Sequence, residues 1–403
     1  MSLTLIHGFV FIISLTHVLS HDLDYEVHLT TPEIIDFWGY PVESVNVVTK
    51  DGYILQLHHI IGGRNESKEQ RTTGKQVVFL QHGLEDCSTT WVANLPEQSV
   101  GFLFADAGFD VWLGNVRGNT YGLRHVSRNP LFRSFWEFSW DEMVDYDLPA
   151  MIDAVLEKTR QKSLYYVGHS QGTLIMSAKL SSDPDFAPKI KKFFALAPVS
   201  TVQHIKGLFR LLSTHLQLTL SFFESIFGSR EFLPLKSFLR FASNRVCAQN
   251  PGNELCTNLI FLMAGPVTHQ LNRTRIPVYV AHSPAGTSTQ NILHWSQMVS
   301  SGKMQKYNYL NPLTNLWSYG SIFPPVYDIS KITTDTYLFW SDDDWLASST
   351  DVAKSFLSKL NPSVLKGNTK LVDFNHFDFV WGLRAAEEIY KPIIAIIKGD
   401  MKR

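Results

Sequence analysis

Short apolar runs bounded by turn residues recur through the first half of the chain: QVVFLQHG at 76–83, FDVWLGNVRG at 109–118, SLYYVG at 163–168 and KKFFALAP at 191–198. Each has the length of a strand, and their near-continuous hydrophobicity predicts strands covered on both faces. Between them the spacing turns helical. Met143, Tyr146, Leu148, Ile152 and Val155 recur every three or four residues within 141–160, and GTLIMSAKL follows the third run almost directly. Strands alternating with helices predict βαβ units and a mainly parallel sheet. Ahead of them, alternating stretches at 44–49 and 53–60 flank Lys50-Asp51-Gly52 and predict a hairpin.

From Thr201 to about residue 325 the pattern changes. HIKGLFRLLSTHLQLTLSFFESIFG is amphipathic, helical in spacing and rich in Leu and Phe. Sheet-like runs return at 333–340 and 369–374, and AAEEIYKPIIAIIKG closes the chain as a helix. The chain therefore reads as one α/β core, 21–200 and 326–403, interrupted by a helical insertion at 201–325. Its 403 residues suit a large domain with an insertion, and 44% hydrophobic with 18% charged residues excludes coiled coil and disorder. A formal net charge of -1 gives no general attraction to nucleic acid or to an anionic membrane.

The first twenty residues, MSLTLIHGFVFIISLTHVLS, carry no Asp, Glu, Lys or Arg and end in small residues. They predict a secretory signal (1–20) removed near Ser20 rather than a membrane anchor. No other apolar run is long enough to span a bilayer, which takes about 18 residues or more. An oxidising route gives the three cysteines meaning. Cys247 and Cys256, nine apart in CAQNPGNELC, are expected to pair, leaving Cys87 as a buried thiol. Asn65 in NES and Asn272 in NRT are N-glycosylation acceptors in a secreted chain.

Residues 168–172 read GHSQG, a G-x-S-x-G placed after a predicted strand and before a predicted helix. In that setting a sharp turn lifts the Ser170 hydroxyl above the sheet, and Gly168 and Gly172 stand where side chains would meet neighbouring backbone. A serine hydroxyl needs a base, and on this motif's fold the order along the chain is Ser, then Asp or Glu, then His. His376 is the only histidine after residue 294, so it is the base. Asp342, Asp343 and Asp344 precede it, and spacing does not separate them. An oxyanion would be held by the backbone N–H of Gln171 and by one from the FLQHGLED loop at Leu84. His82 in that loop reads as a structural anchor. With no H-E-x-x-H or C-x-x-C, neither a metal nor a cofactor is expected.

These stretches resemble the acid lipase family, the gastric and lysosomal acid lipases and their invertebrate relatives. FWGYP, VVTKDGYIL, FLQHGL, FADAGFDVWLGNVRGNTY, FWEFSWDEMVDYDLPAMID, YYVGHSQGT, FALAPV, PAGTSTQNILHW and NHFDF carry the likeness, which covers nearly the whole chain after residue 20. The resemblance implies an α/β-hydrolase core with a helical cap, and lid residues near 235–264. It selects Asp344, which opens DWLASSTDV, over its two neighbours, and it implies the Leu84 and Gln171 donors and a Cys247–Cys256 bridge. It implies hydrolysis of fatty-acyl esters, triacylglycerols or steryl esters, at a lipid–water interface, and acid tolerance in a lysosomal or secreted setting. Three alternatives stand beside it: an esterase for small or lipid-signalling esters, a catalytically silent lipid carrier, and a structural or adhesion role, which would need no intact nucleophile elbow or oxyanion loop. Two departures are visible. ASS at 347–349 replaces the family's ADP and predicts a looser loop beside Asp344. Ala264 stands near a cysteine usual in the gastric enzymes.

Overall fold

The computed structural model describes residues 25–67, 74–211, 213, 228–232, 239, 241–250 and 252–401. The predicted signal at 1–20 and parts of the predicted lid (235–238, 240 and 251) lie outside them. The strands are β1 (Val42–Val48), β2 (Tyr53–Ile60), β3 (Val77–Gln81), β4 (Asp110–Leu113), β5 (Arg124–His125), β6 (Leu164–His169), β7 (Ile190–Leu196), β8 (Thr336–Ser341) and β9 (Leu365–Leu371). They form one sheet in the order β1-β2-β4-β3-β6-β7-β8-β9, with β5 paired to β2. β1, β2 and β4 pair antiparallel, and everything from β4 through β9 is parallel. The longer helices are α1 (Thr31–Phe37), α2 (Val100–Asp106), α3 (Leu148–Thr159), α4 (Gln171–Ser182), α5 (Gly252–Ala264), α6 (Ile276–His282), α7 (Thr289–Ser301), α8 (Pro312–Tyr319) and α9 (Lys391–Asp400).

The central strands β3 and β6 are buried at every residue, as expected of parallel strands with helices on both faces. The hairpin turns at Gly52, whose φ of 99° is open to glycine without strain. The 109–118 run makes a strand only to Leu113. At Gly114 a side chain would collide with Gln81 Oε1, 2.4 Å from its Cβ position, so the backbone passes too close there for an ordinary strand residue. The helix expected over 141–160 is split: a wide π turn spans Met143–Asp147 before α3. Pro149 lacks an N–H and its ring crowds the carbonyl four residues back, which accounts for the widened turn. β9 begins at Leu365, earlier than the 369–374 expected, and alternates exposed and half-buried residues. It is the edge strand, so no apolar run announces it.

Arg117 is a buried cation held between two carboxylates. Arg117, 1% exposed, donates from Nε to Asp147 Oδ1 at 2.8 Å and from Nη1 to Asp51 Oδ2 at 2.6 Å, and its backbone N–H reaches Asp147 Oδ2 at 3.0 Å. Its guanidinium lies 4.0 Å over the Tyr53 ring. One side chain thus joins the hairpin turn, the loop after β4 and the start of α3. Arg117→Met is expected to destabilise by about 3–5 kcal/mol, because it strands a buried carboxylate; urea denaturation measures it.

Between β7 and β8 the chain makes a long excursion whose described residues include α5, α6, α7 and α8. Cys247 and Cys256 are disulfide-bonded within it, and Cys87, in the core, is buried without a disulfide. Among the described residues no helix is long and apolar enough to cross a membrane.

Candidate active site

Ser170 stands between β6 and α4 with φ 51° and ψ -117°. Only a closely packed elbow holds a non-glycine residue in such a conformation, at a cost of about 1–3 kcal/mol. The packing is visible. A Cβ on Gly168 would lie 2.8 Å from the Gly172 carbonyl, and one on Gly172 would lie 2.4 Å from the Gln81 carbonyl oxygen. Ser170 N–H donates to the Leu196 carbonyl at 3.1 Å, fixing the turn to β7.

The loops after β8 and β9 bring in the partners. His376 Nε2 lies 2.8 Å from Ser170 Oγ, and His376 Nδ1 lies 3.0 and 2.9 Å from the two oxygens of Asp344. Asp344 is fully buried, and its Oδ1 accepts from the N–H groups of Leu346 and Ala347 at 2.8 Å each. Asp342 instead pairs on the surface with Lys370 at 2.6 Å, and Asp343 is half-buried, with its backbone N–H donating to Ser341 Oγ at 3.2 Å. Three-dimensional burial therefore separates three aspartates that spacing does not. At the ASS departure, Ser348 Oγ donates to Asp351 Oδ2 at 2.9 Å and accepts from its N–H at 3.2 Å. Ser348 thus serves as the N-cap of the short helix Ser349–Asp351 that follows.

Leu84 and Gln171 flank Ser170 from two sides. Gln171 opens α4, where a first-turn N–H has no intrahelical partner, and a Cβ on Gly83 would lie only 3.0 Å from Ser170 Cβ. His82 holds the Leu84 loop. Its Nδ1 donates to the Gly83 carbonyl at 2.8 Å, and its Nε2 accepts from Val116 N at 3.3 Å and Asn119 Nδ2 at 3.1 Å. Burial pushes its pKa down to about 4, so it remains neutral in this role.

Three features of the site have no sequence signal. His169 Nε2 donates to the His376 carbonyl at 3.0 Å, and burial, with the neighbouring His376, holds its pKa well below the ordinary range. The Gln171 side chain accepts from Asn291 Nδ2 at 3.1 Å and Trp295 Nε1 at 2.7 Å, both on α7. Ala264, at the end of α5, accepts through its carbonyl from Trp345 N and His376 N, each at 3.2 Å. None of the three contacts follows from periodicity, because each joins elements far apart in the chain.

A family model described as the alpha/beta hydrolase fold matches residues 76–383, and one described as a partial alpha/beta-hydrolase lipase region matches 31–95. Lipase lipl-1 of Caenorhabditis elegans is 51% identical over 386 residues, covering 95% of each chain. Gastric triacylglycerol lipase of Bos taurus is 42% identical over 377 residues, covering 94% of this chain and 93% of its own. The chain belongs to the acid lipase family. Solved structures at lower identity share the fold alone, among them a membrane phospholipase A described as a novel bacterial virulence factor, at TM-score 0.50, 12% identity and 98% coverage of both chains.

In this acid lipase the serine opens onto a cavity of about 340 Å³. Core residues Ser170, His376 and Trp381 form one wall, and Phe209, Ile260 and Trp295 of the excursion form the other. The lining is mainly apolar, but it includes two carboxyls, Glu85 and Asp86. Glu85, next to Leu84, lines the cavity with Oε1 enclosed and without a hydrogen-bond partner among the described residues, and burial pushes its carboxyl up to about 8. Asp344→Asn is expected to lower kcat about ten-thousand-fold, by favouring the wrong His376 tautomer. Asp342→Asn and Asp343→Asn are expected to change it less than about twofold, since neither reaches the imidazole. Parallel kinetics on the three variants test the assignment.

Proposed function

We propose that this acid lipase cleaves fatty-acyl esters, triacylglycerols or steryl esters, through an acyl-enzyme built on Ser170. The observation that carries the reading is the unbroken hydrogen-bond chain Asp344–His376–Ser170 ending at an apolar cavity. Ser170 Oγ attacks the ester carbonyl while His376 Nε2 takes its proton. The N–H groups of Leu84 and Gln171 receive the negative charge that develops on the carbonyl oxygen. Collapse expels the alcohol, which takes the proton from His376. Water then enters, gives a proton to His376 and attacks the acyl carbonyl; release of the fatty acid returns the proton to Ser170. Asp344 holds the imidazole and balances its transient charge.

The excursion at 201–325 serves as a cap, and its part near 235–264 as a lid over the cavity. An apolar cavity of this size accommodates an acyl chain. The carboxyl of Glu85, which burial pushes up to about 8, is neutral at acid pH and supports work there. The N-terminal signal, the disulfide and the exposed Asn65 support a secreted or lysosomal protein. Asn272 is the less accessible acceptor, because its Nδ2 donates to Gln98 Oε1 at 3.2 Å.

The test pairs fluorophosphonate labelling with fatty-acid release at about pH 5 from emulsified triacylglycerol, emulsified steryl ester and a soluble short-chain ester. Labelling at Ser170 together with release from an emulsion is expected. Labelling with turnover of the soluble ester alone makes the chain an esterase. Absence of labelling in the folded protein makes it a silent carrier.

A further inference from the structure

Helix α8 is packed inside out. Asn315 is its one buried residue, while Leu313, Leu316 and Trp317 face outward at 68%, 45% and 90% exposure. The inner side is held by polar contacts. Asn315 Nδ2 donates to Asn308 Oδ1 at 2.9 Å and to the Ile322 carbonyl at 3.0 Å, and Asn315 Oδ1 accepts from Tyr309 N at 3.1 Å. Asn311 caps the helix by accepting from Leu313 N at 2.9 Å and Thr314 N at 3.3 Å. An amphipathic helix ordinarily buries its apolar stripe and wets its polar one. Here the hydrogen bonds fix the helix and leave the apolar stripe uncovered. The turn that follows continues the stripe, with Ile322 at 50% and Phe323 at 73% exposure. Single exposed apolar residues are ordinary, but a contiguous group around a nearly bare tryptophan marks a contact surface.

The composition of the segment indicates what it contacts. Tyr307 through Tyr327 contains no Asp, Glu, Lys or Arg in 21 residues. A protein partner is selected and oriented by charged and polar groups at the rim of its interface, and an anionic membrane by basic residues. Lys306, the nearest cation before the segment, is already paired with Asp145 at 2.8 Å. A surface with leucine, tryptophan and phenylalanine but no charge complements an uncharged, fluid apolar phase, with tryptophan suited to its boundary with water. The segment also rides on the cavity wall. Gln297 of α7 donates from Nε2 to the Asn308 carbonyl at 2.7 Å and accepts from Asn308 N at 2.8 Å. The same helix contributes Ile292, Trp295 and Val299 to the cavity lining.

We propose that residues 307–327 form a lipid-docking surface that seats the protein on the uncharged surface of an ester-lipid droplet, with α7 linking that seat to the cavity. The proposal rests on the lipid-ester reading above, and its test reads binding separately from catalysis. Full-length protein and the variant Leu313→Ser/Trp317→Ser/Phe323→Ser are mixed with a triolein emulsion, and the protein left in the aqueous phase after flotation is measured. In parallel, turnover of a soluble short-chain ester, thermal stability and mass in solution are recorded.

The variant is expected to partition onto the emulsion about tenfold less, with soluble-ester turnover within about twofold and stability unchanged, since the three side chains are exposed. Partition equal to the parent overturns the proposal. So does a drop in mass from dimer to monomer, which would make the face a contact between copies. Parent binding to anionic phospholipid vesicles but not to triolein overturns it as well. If no ester of any kind is hydrolysed, the emulsion arm still decides the docking surface by itself.

Discussion

Replacing Ser170 by alanine is expected to lower ester turnover by about 10⁴–10⁶-fold, leaving only what oxyanion donors and substrate binding supply by themselves. Oγ is the atom within 2.8 Å of His376 Nε2, and no second hydroxyl is placed on that nitrogen among the described residues. Glycine at the same position separates chemistry from strain. At φ 51° a serine is held where an L-residue is disfavoured, whereas glycine enters freely. Ser170→Gly is therefore expected to be equally inactive yet more resistant to denaturant by about 1 kcal/mol, after allowing for glycine's larger chain entropy in the unfolded state. Turnover of a chromogenic ester and urea midpoints for parent, alanine and glycine variants check both halves. An alanine variant keeping more than a few per cent of parental turnover would assign the nucleophile elsewhere.

Thermal stability is expected to peak near pH 5 and to fall on either side. Burial favours the neutral form of six carboxyls: Glu85 and Asp141 are pushed up to about 8, Asp378 to about 7 and Asp86 to about 6, and Glu142 and Asp147 are raised as well. In the unfolded chain such groups titrate near pH 4 (about 3.9–4.3). Their stabilising contribution is complete below that value and is lost as the pH rises through each folded-state value, because the unfolded state has already released the protons. Four buried histidines act in the opposite direction. Burial pushes His82 down to about 4, His58 and His294 to about 3, and His169 well below its ordinary value. Their contribution is complete above about pH 6.5, where the unfolded chain is neutral, and is lost as the pH falls towards the folded-state values. Near pH 5 the protons held by the carboxyls offset those refused by the histidines. Above about 7 the carboxyl slope is left, and below about 4 the histidine slope, each worth about 1.4 kcal/mol per proton per pH unit. Melting temperatures across pH 3 to 9 read the curve directly. Glu85→Gln, which carries no titrating proton, is expected to flatten the limb between about pH 5 and 8 by at most one proton's share. A melting temperature that climbs steadily from pH 5 to 8 would contradict the balance.

Ser170 and His376 are legible in the sequence because chemistry and chain order restrict them to one candidate each. The buried central strands are legible because two covered faces demand continuous apolar runs. Asp344 is not, since three consecutive aspartates share one spacing and only burial distinguishes them; the family resemblance supplied that choice. β9 escapes because an edge strand mixes Lys, Asn and Thr with apolar residues. Glu85 and Asp141 show nothing in the sequence of the burial that shifts them. α8 marks a further limit: periodicity reveals that a helix has an apolar side but not whether that side faces in, and here hydrogen bonds from two asparagines turn it out.

The hydrogen bonds from α7 to Gln171, and from the Trp345 and His376 loops to Ala264, have a consequence for building with this scaffold. Each part of the constellation has a tether in the excursion: the elbow through Asn291 and Trp295, the acid and base loops through the end of α5. Trimming the excursion to obtain a minimal hydrolase would remove struts along with roof, and a graft from another member would function only if it brought matching donors and acceptors to those three places.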